Sequence, residues 1–392
     1  MDLKPVVATM LLLAAPRAAQ SQQSPTPVTH RSTVGIRVDT ATPPRREIFA
    51  TWRAYLNPGP DHFARSPYWI SGDQRRWAIF DLAAAWIYFG AAGYPRPEAT
   101  LVAIDPLTPG REGARDTFVV RALYTTTDSA GSSLPVALTR TYAVREGDRW
   151  VLASPLPRLT AGWTRERRGR ITFIFPPTHV FNASRAERSG RFIDSLSRAF
   201  GIAVPPPISF YVADRPEELA KLVGVDMAVP QTSFGRAVPG NNMILSGLPV
   251  YGEWYPHELT HLVLARWLAE REVFGTMDEG MAHWLGGSTG RPFPVLMAEL
   301  DRELATRPSL TLDSLLGPGH RTDSLANRAA AGLLALANER GGVNAVKAVL
   351  TPRTGPRGAD HLSAAADALG LHGSRLEAAW RDFVRMTAQK QE

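Results

Sequence analysis

Three residues able to do chemistry together stand within five positions of one another in "WYPHELTHLVLARW": His257, Glu258 and His261. Histidine is scarce in this chain, nine in 392 residues, so two of them four apart need a physical reading. On an α-helix four residues turn through about 400°, which brings both imidazoles out of one face about a turn apart. That geometry suits two ligands of a zinc ion. Glu258 leaves the helix beside that face and could reach a water in the fourth metal position, where it would act as general base. A chance His-Glu-x-x-His in a chain of this composition has a probability of roughly one in a hundred, so the pattern alone does not decide. The downstream context adds to it. Glu279, with seventeen residues between it and His261, lies in "TMDEGMAHWLGG", a second short apolar helix that a return loop can bring back against the first. Two histidines and one glutamate leave a coordination position open, as catalytic zinc requires. The plainer reading makes Glu279 a helix-start acid favoured by the macrodipole and His283 a core histidine bonded to a backbone carbonyl.

Such a site needs its helix held in place. Pro256 suits a first helical turn, and Leu259, Leu262, Val263 and Trp267 supply a buried anchor. Before this helix, "RITFIFPP", "PISFYVAD" and "NNMILSG" read as strands of a small mixed sheet. "SRAERSGRFIDSLSRAFGI" reads as a helix with Phe192, Ile193, Leu196 and Phe200 on one side. Beyond Arg291 the pattern is helical almost throughout, with Gly341-Gly342 as a helix stop.

"HELTH" followed at this distance by "DEGMAHW" resembles the gluzincin metallopeptidases, the clan of thermolysin and the M1 aminopeptidases, and most of all the peptidase MA-like domains of bacterial exported proteins. The resemblance spans residues 168–392 and implies a thermolysin-like domain: small mixed sheet, active-site helices and helical C-terminal lobe. It implies Zn2+ held by His257, His261 and Glu279, Glu258 as the base, and Asp278 and His283 as outer groups that orient the ligands. An edge strand near Ala237 to Ile244 would hold an extended peptide, with Ala237, Asn241 and Asn242 as substrate-binding residues. M1 aminopeptidases carry an amine-binding Glu in that strand, whereas "GRAVPGNNMILSG" has no acid, which counts against aminopeptidase specificity. No Tyr follows Tyr255 to stabilise an oxyanion, and Leu325 stands where one is sought; His320, Arg321 and His283 are the candidate replacements.

The rest of the chain sets the frame. A length of 392 residues calls for more than one domain. The net charge of +7 comes from scattered Arg among acids, with Lys only at positions 4, 221, 347 and 390, a distribution that speaks against nucleic-acid binding. With no Cys there is no disulfide framework. Lys4, the apolar run Val6 to Ala15 and Ala18-Ala19 read as a signal peptide over residues 1–20; ten apolar residues are too few to span a bilayer. Secretion or periplasmic export without stable membrane insertion is therefore expected, with a linker at 21–45. Residues 46–165 place helices, including one from about Arg75 to Phe89, before an antiparallel meander with a Gly-Asp turn in "REGDRW". This order resembles the NTF2-like cone. Asp61 and His62 in "NPGPDHF" read as a turn and a surface histidine. The whole is expected to be α+β, a secreted zinc metallopeptidase acting on peptides or proteins. The alternative is a non-catalytic, zinc-stabilised binding protein on a degenerate peptidase fold.

Overall fold

The computed structural model describes residues 32–56, 67–72, 98–107, 116–127, 130–203, 205–228, 235–268, 275–317, 324–352 and 357–390. The expected signal peptide, the helix from Arg75 to Phe89, the Asp61-His62 loop and the His320-Arg321 pair lie outside them.

The N-terminal part contributes β1 (Ser32–Val34), α1 (Arg45–Leu56), β2 (Glu98–Pro106), β3 (Thr117–Thr127), β4 (Ser133–Glu146) and β5 (Arg149–Ala153). Beyond these come a short α2 (Leu156–Leu159), then β6 (Thr164–Arg168), β7 (Ile171–Phe175), α3 (Ala183–Phe200), β8 (Ile208–Val212), α4 (Pro216–Leu222), β9 (Val225–Ala228), β10 (Gly235–Val238) and β11 (Met243–Ser246). Among the described residues, seven helices follow: α5 (Pro256–Leu268), α6 (Gly275–Gly286), α7 (Phe293–Thr306), α8 (Leu312–Leu316), α9 (Ser324–Leu350), α10 (Gly358–Leu369) and α11 (Ser374–Gln389). The described residues form an α+β fold with two sheets.

The first sheet runs β1-β2-β3-β4-β5, antiparallel except for the β1-β2 pair. The β4-β5 connection is a two-residue hairpin at Gly147-Asp148, closed by the Glu146-Arg149 pair and made possible by Gly147 at φ 62°. α1 lays Ile48, Trp52, Tyr55 and Leu56 into the core of this sheet. β9 arrives from much later in the chain and pairs with the first half of β4, with Ala137 opposite Ala228. A four-residue strand between a helix and a loop carries too little periodicity to be read in sequence.

The second sheet runs β10-β11-β8-β7-β6, with β7, β8 and β11 parallel and the two outer strands antiparallel. Its central strands are buried on both faces, as parallel strands usually are. Ile171, Phe173, Phe175, Ile208, Phe210, Val212 and Ile244 point to the helical side. Ile174, Tyr211, Met243 and Leu245 point the other way and share a core with the first sheet. The second sheet is thus the middle layer between the first sheet and the helices. β6 is "TRERR", an edge strand whose charged side chains carry no alternation a reader could use.

One feature differs from the sequence pattern, and one agrees with it. "GRAVPGNNMILSG" is no single strand: Pro239 cannot donate to a ladder, a 3-10 turn forms over Pro239–Asn241, Asn242 takes φ 49°, and β10 and β11 pair as a hairpin. The long α9 is broken at Gly342, whose φ of 64° ends one helix and starts another where Gly341-Gly342 reads as a stop.

A partly buried polar cluster ties the sheet to the start of α5. His179, after β7, shares one ring nitrogen with Asp214 at 3.1 Å and the other with Glu253 at 2.8 Å. Glu253 also accepts from the Asn182 amide, and its own carbonyl accepts from the Ser189 hydroxyl. With Asn182 capping α3, these bonds hold three loops in register just before Pro256.

Candidate metal centre

α5 and α6 pack against each other over the helical face of the second sheet, and their close approach has a specific cause. A Cβ added to Gly286 would stand 2.2 Å from the His257 amide nitrogen and 2.5 Å from its Cα. Only glycine lets the end of α6 reach the first turn of α5. The neighbouring Gly287, at φ 73°, turns its carbonyl toward the His257 Nδ1, which donates to it at 2.8 Å. Farther along α6, Gly280 lies where a Cβ would meet Ala330 of α9 at 2.7 Å. α6 is therefore clamped on two sides, and Glu279 with it.

The structure brings His257, His261 and Glu279 together as a group able to hold a metal ion. The two Nε2 atoms are 3.3 Å apart, and Glu279 oxygens stand 3.6 Å from that of His257 and 3.5 Å from that of His261. Ligands around a tetrahedral ion with bonds of about 2.0–2.1 Å are separated by about 3.3–3.4 Å, so the triangle already has the right size. The tautomers fit as well. The His257 Nδ1 is bonded to a carbonyl, and that of His261 lies 3.1 Å from an Asp278 oxygen, which leaves both Nε2 lone pairs for a metal. Glu279 Oε1 is buried without a hydrogen-bond partner, a costly situation that a bound cation relieves. Two imidazoles and one carboxylate, with no thiolate, are the donors of a catalytic zinc, and the residues fit Zn2+.

Burial is deep: Glu258 is 2% exposed, and His257, His261 and Glu279 are 6%, 8% and 7%. Burial by itself opposes charge on His261, but Asp278 and Glu279 outweigh it and push its pKa up to about 10. His257 moves in the same direction, burial being overcome by Glu279 and Glu258.

Glu258 is not among the three ligands. One of its oxygens accepts from the Ala237 amide of β10 at 2.6 Å, and the other is buried with no partner. β10 therefore crosses the site at the sheet edge. Asn242 is turned away, its carboxamide oxygen accepting from Arg266 at 2.9 Å. Asn241 keeps both carboxamide atoms buried and unbonded in the 3-10 turn. His283, one turn after Glu279, lies against His257 with ring centroids 5.5 Å apart. Burial first, then the positive fields of His257 and Arg328, hold His283 well below the usual histidine range, so it is neutral. Its Nδ1 has no partner, in contrast to the carbonyl-bonded core histidine of the plainer reading. Leu325 packs partly buried against the helical core.

Sequence reasoning passed over Tyr251 and Tyr255. Their rings stack at 3.8 Å with 10° between planes, and the Tyr255 ring lies 6.4 Å from His257. The spacing of Tyr255 and Glu258, three apart at the head of a helix, was the signal available.

No protein-family model matches the chain, and no curated protein matches it. Solved structures do. A mutant of the M1 zinc metallopeptidase of Deinococcus radiodurans bound to a Tyr-Ser-Ala substrate is 16% identical, covering 74% of this chain and 64% of that one, with a TM-score of 0.31. Legionella pneumophila aminopeptidase A in complex with aspartic acid is 10% identical, covering 70% of this chain and 34% of that one, with a TM-score of 0.26. The chain thus spans less than two thirds of either structure. TM-scores of this size say nothing about activity, and the site stands on its own geometry.

Proposed function

We propose that this chain is a zinc-dependent peptidase with Glu258 as its general base. The observation that carries the reading is the buried convergence of His257, His261 and Glu279 beside an acid that is not one of the three. Zinc, when bound, supplies a Lewis acid for the scissile carbonyl and acidifies a water. Glu258 takes the proton of the attacking water and returns it to the departing amine. Asp278 and the Gly287 carbonyl keep both imidazoles turned toward the metal position. β10 is the sheet edge next to Glu258, so an extended peptide would add along Gly235 to Val238, not on to Ile244, which lies in the internal strand β11, once the Ala237 amide is drawn off the carboxylate. The absence of an acid in β10 favours internal peptide bonds over amino-terminal ones.

The reading extends to export, on the strength of Lys4 and the apolar run Val6 to Ala15, and to an NTF2-like pocket in residues 46–165. No described helix is long and apolar enough to cross a membrane. The non-catalytic scaffold reading draws on one observation, the low exposure of all four site side chains.

Metal analysis of the purified chain and turnover of a mixed peptide library separate the two. Glu258→Gln is expected to keep zinc and lose about 10²–10⁴ in rate, whereas His261→Ala loses the metal. Full hydrolysis after chelation overturns the peptidase reading, and stoichiometric zinc without cleavage supports the scaffold.

A further inference from the structure

We infer that His179 is a proton-operated positioning residue: its charged imidazole closes a latch between Asp214 and Glu253 that holds the head of α5, and loss of that proton releases it. Its effect on turnover rests on the peptidase reading above. The latch itself stands on separate contacts, away from the metal ligands.

The hydrogen-bond geometry calls for the proton. His179 Nδ1 stands 3.1 Å from Asp214 Oδ1, and Nε2 stands 2.8 Å from Glu253 Oε1. An ionised carboxylate only accepts, and a neutral imidazole has one N–H to give. Both acids already accept elsewhere. The same Glu253 Oε1 takes the Asn182 amide at 3.0 Å, and Asp214 Oδ2 takes the Thr178 hydroxyl at 3.1 Å. The second hydrogen therefore belongs to the ring, and the closed cluster is an imidazolium between two carboxylates. Without that proton, a nitrogen lone pair faces a carboxylate oxygen across one of the two contacts. Burial makes this costly on the inner side, where the Glu253 side chain is 1% exposed. His179 at 13% and Asp214 at 37% keep the ring within reach of solvent protons.

The other charged neighbours are engaged with each other or with backbone. Glu218 of α4 accepts from the Asp214 amide at 3.2 Å and pairs with Arg215 at 3.0 Å. On α3, Arg185 donates to the Pro249 carbonyl at 3.3 Å. Beside the imidazole ring lies Phe175, with centroids 5.2 Å apart. From Glu253 to α5 the chain is short and stiff. The Glu253 carbonyl accepts from the Ser189 hydroxyl, and the Trp254 amide donates to the Tyr251 carbonyl at 2.9 Å. The Trp254 ring is wedged between Phe192 and Arg188, and Tyr255 stacks on Tyr251. His257 comes four residues after Glu253, so a shift of the carboxylate is passed to the first turn of α5.

The test compares the zinc-loaded wild type with Asp214→Asn across about pH 5–9. The asparagine presents its NH2 to Nδ1 and its oxygen to Thr178. A neutral ring donating from Nε2 to Glu253 then satisfies every contact, and the latch stays closed without the proton. The nitrogen resonances of the His179 imidazole report its protonation directly. The ratio of variant to wild-type kcat is expected to be near one at the acid end and to rise about tenfold to a hundredfold as the wild-type ring loses its proton, with KM nearly constant. Taking the ratio cancels titrations shared by both proteins, those of the metal ligands included. The wild-type to variant ratio of exchange rates at the Asn182 amide is expected to follow the same curve, independently of activity. His179→Gln, which offers Glu253 a donor that does not titrate, is expected to behave as Asp214→Asn does. A ring that keeps one protonation state throughout, or ratios that do not follow its titration in either variant, overturn the inference. If no form of the chain cleaves any peptide, the peptidase reading fails, and the imidazole titration with Asn182 exchange still decides the latch.

Discussion

Gly286→Ala puts the metal centre to its sharpest structural test. The new Cβ would lie 2.2 Å from the His257 nitrogen, 2.5 Å from its Cα and 2.6 Å from the Pro256 carbonyl carbon. All three are backbone atoms of the first turn of α5, so no rotamer relieves the contact. Restoring an ordinary 3.4 Å separation means moving α6 from α5 by 3.4 − 2.2, or 1.2 Å, at that point. Metal–ligand bonds tolerate about 0.2 Å. Glu279 sits on α6 and both histidines on α5, so the displacement opens the ligand triangle by several times that tolerance. Overpacking of this kind costs roughly 1–3 kcal/mol of stability, and the loss of ligand geometry should weaken zinc by about a hundredfold or more. Thermal unfolding of the metal-free protein reads the first effect, and competition with a chromophoric chelator reads the second. A folded Gly286→Ala protein that holds one zinc at wild-type affinity would refute the claim that this glycine sets the helix spacing.

Further expectations can be measured on the same protein. With the His261 pKa pushed up to about 10 in the metal-free state, zinc must displace a proton at neutral pH, so affinity should rise about tenfold per pH unit from near 7 toward 10. Calorimetry in buffers of different ionisation enthalpy counts that proton, and a pH-independent affinity between 7 and 9 contradicts the assigned partners. Without zinc, the same upward shift stabilises the fold fully below the ordinary histidine value of 6.5, and that contribution is lost as pH rises through about 10. Asp278→Asn removes the first of the groups that raise His261, and should flatten the pH dependence while costing about 10–100-fold in zinc affinity at high pH. Gly190→Ala, in the middle of α3 with nothing within 4 Å of the new Cβ, should raise stability by roughly 0.5–1 kcal/mol in urea unfolding and leave zinc binding unchanged.

The local part of this protein is written in its sequence. A four-residue spacing on a helix puts His257 and His261 on one face whatever surrounds them, because helical rotation per residue is fixed. The near-continuous apolar runs "ITFIF" and "ISFYV" give strands buried on both faces, and Gly147 with Asp148 gives a hairpin turn, for equally local reasons. Tertiary structure alone decided what those elements meet. β6 and β9 carry no pattern of their own and exist because β7 and β4 offer open edges. The hairpin over Pro239–Asn241 follows from a proline that cannot donate and a turn that must pack on α5. Glu279 reaches the histidines because Gly286 and Gly280 let two backbones approach. The Ala237 amide comes to Glu258 because β10 crosses the head of α5, where Gly235 passes over the Tyr255 ring. Contacts between segments distant in sequence depend on which surfaces close over one another, and no periodicity within a single segment encodes that.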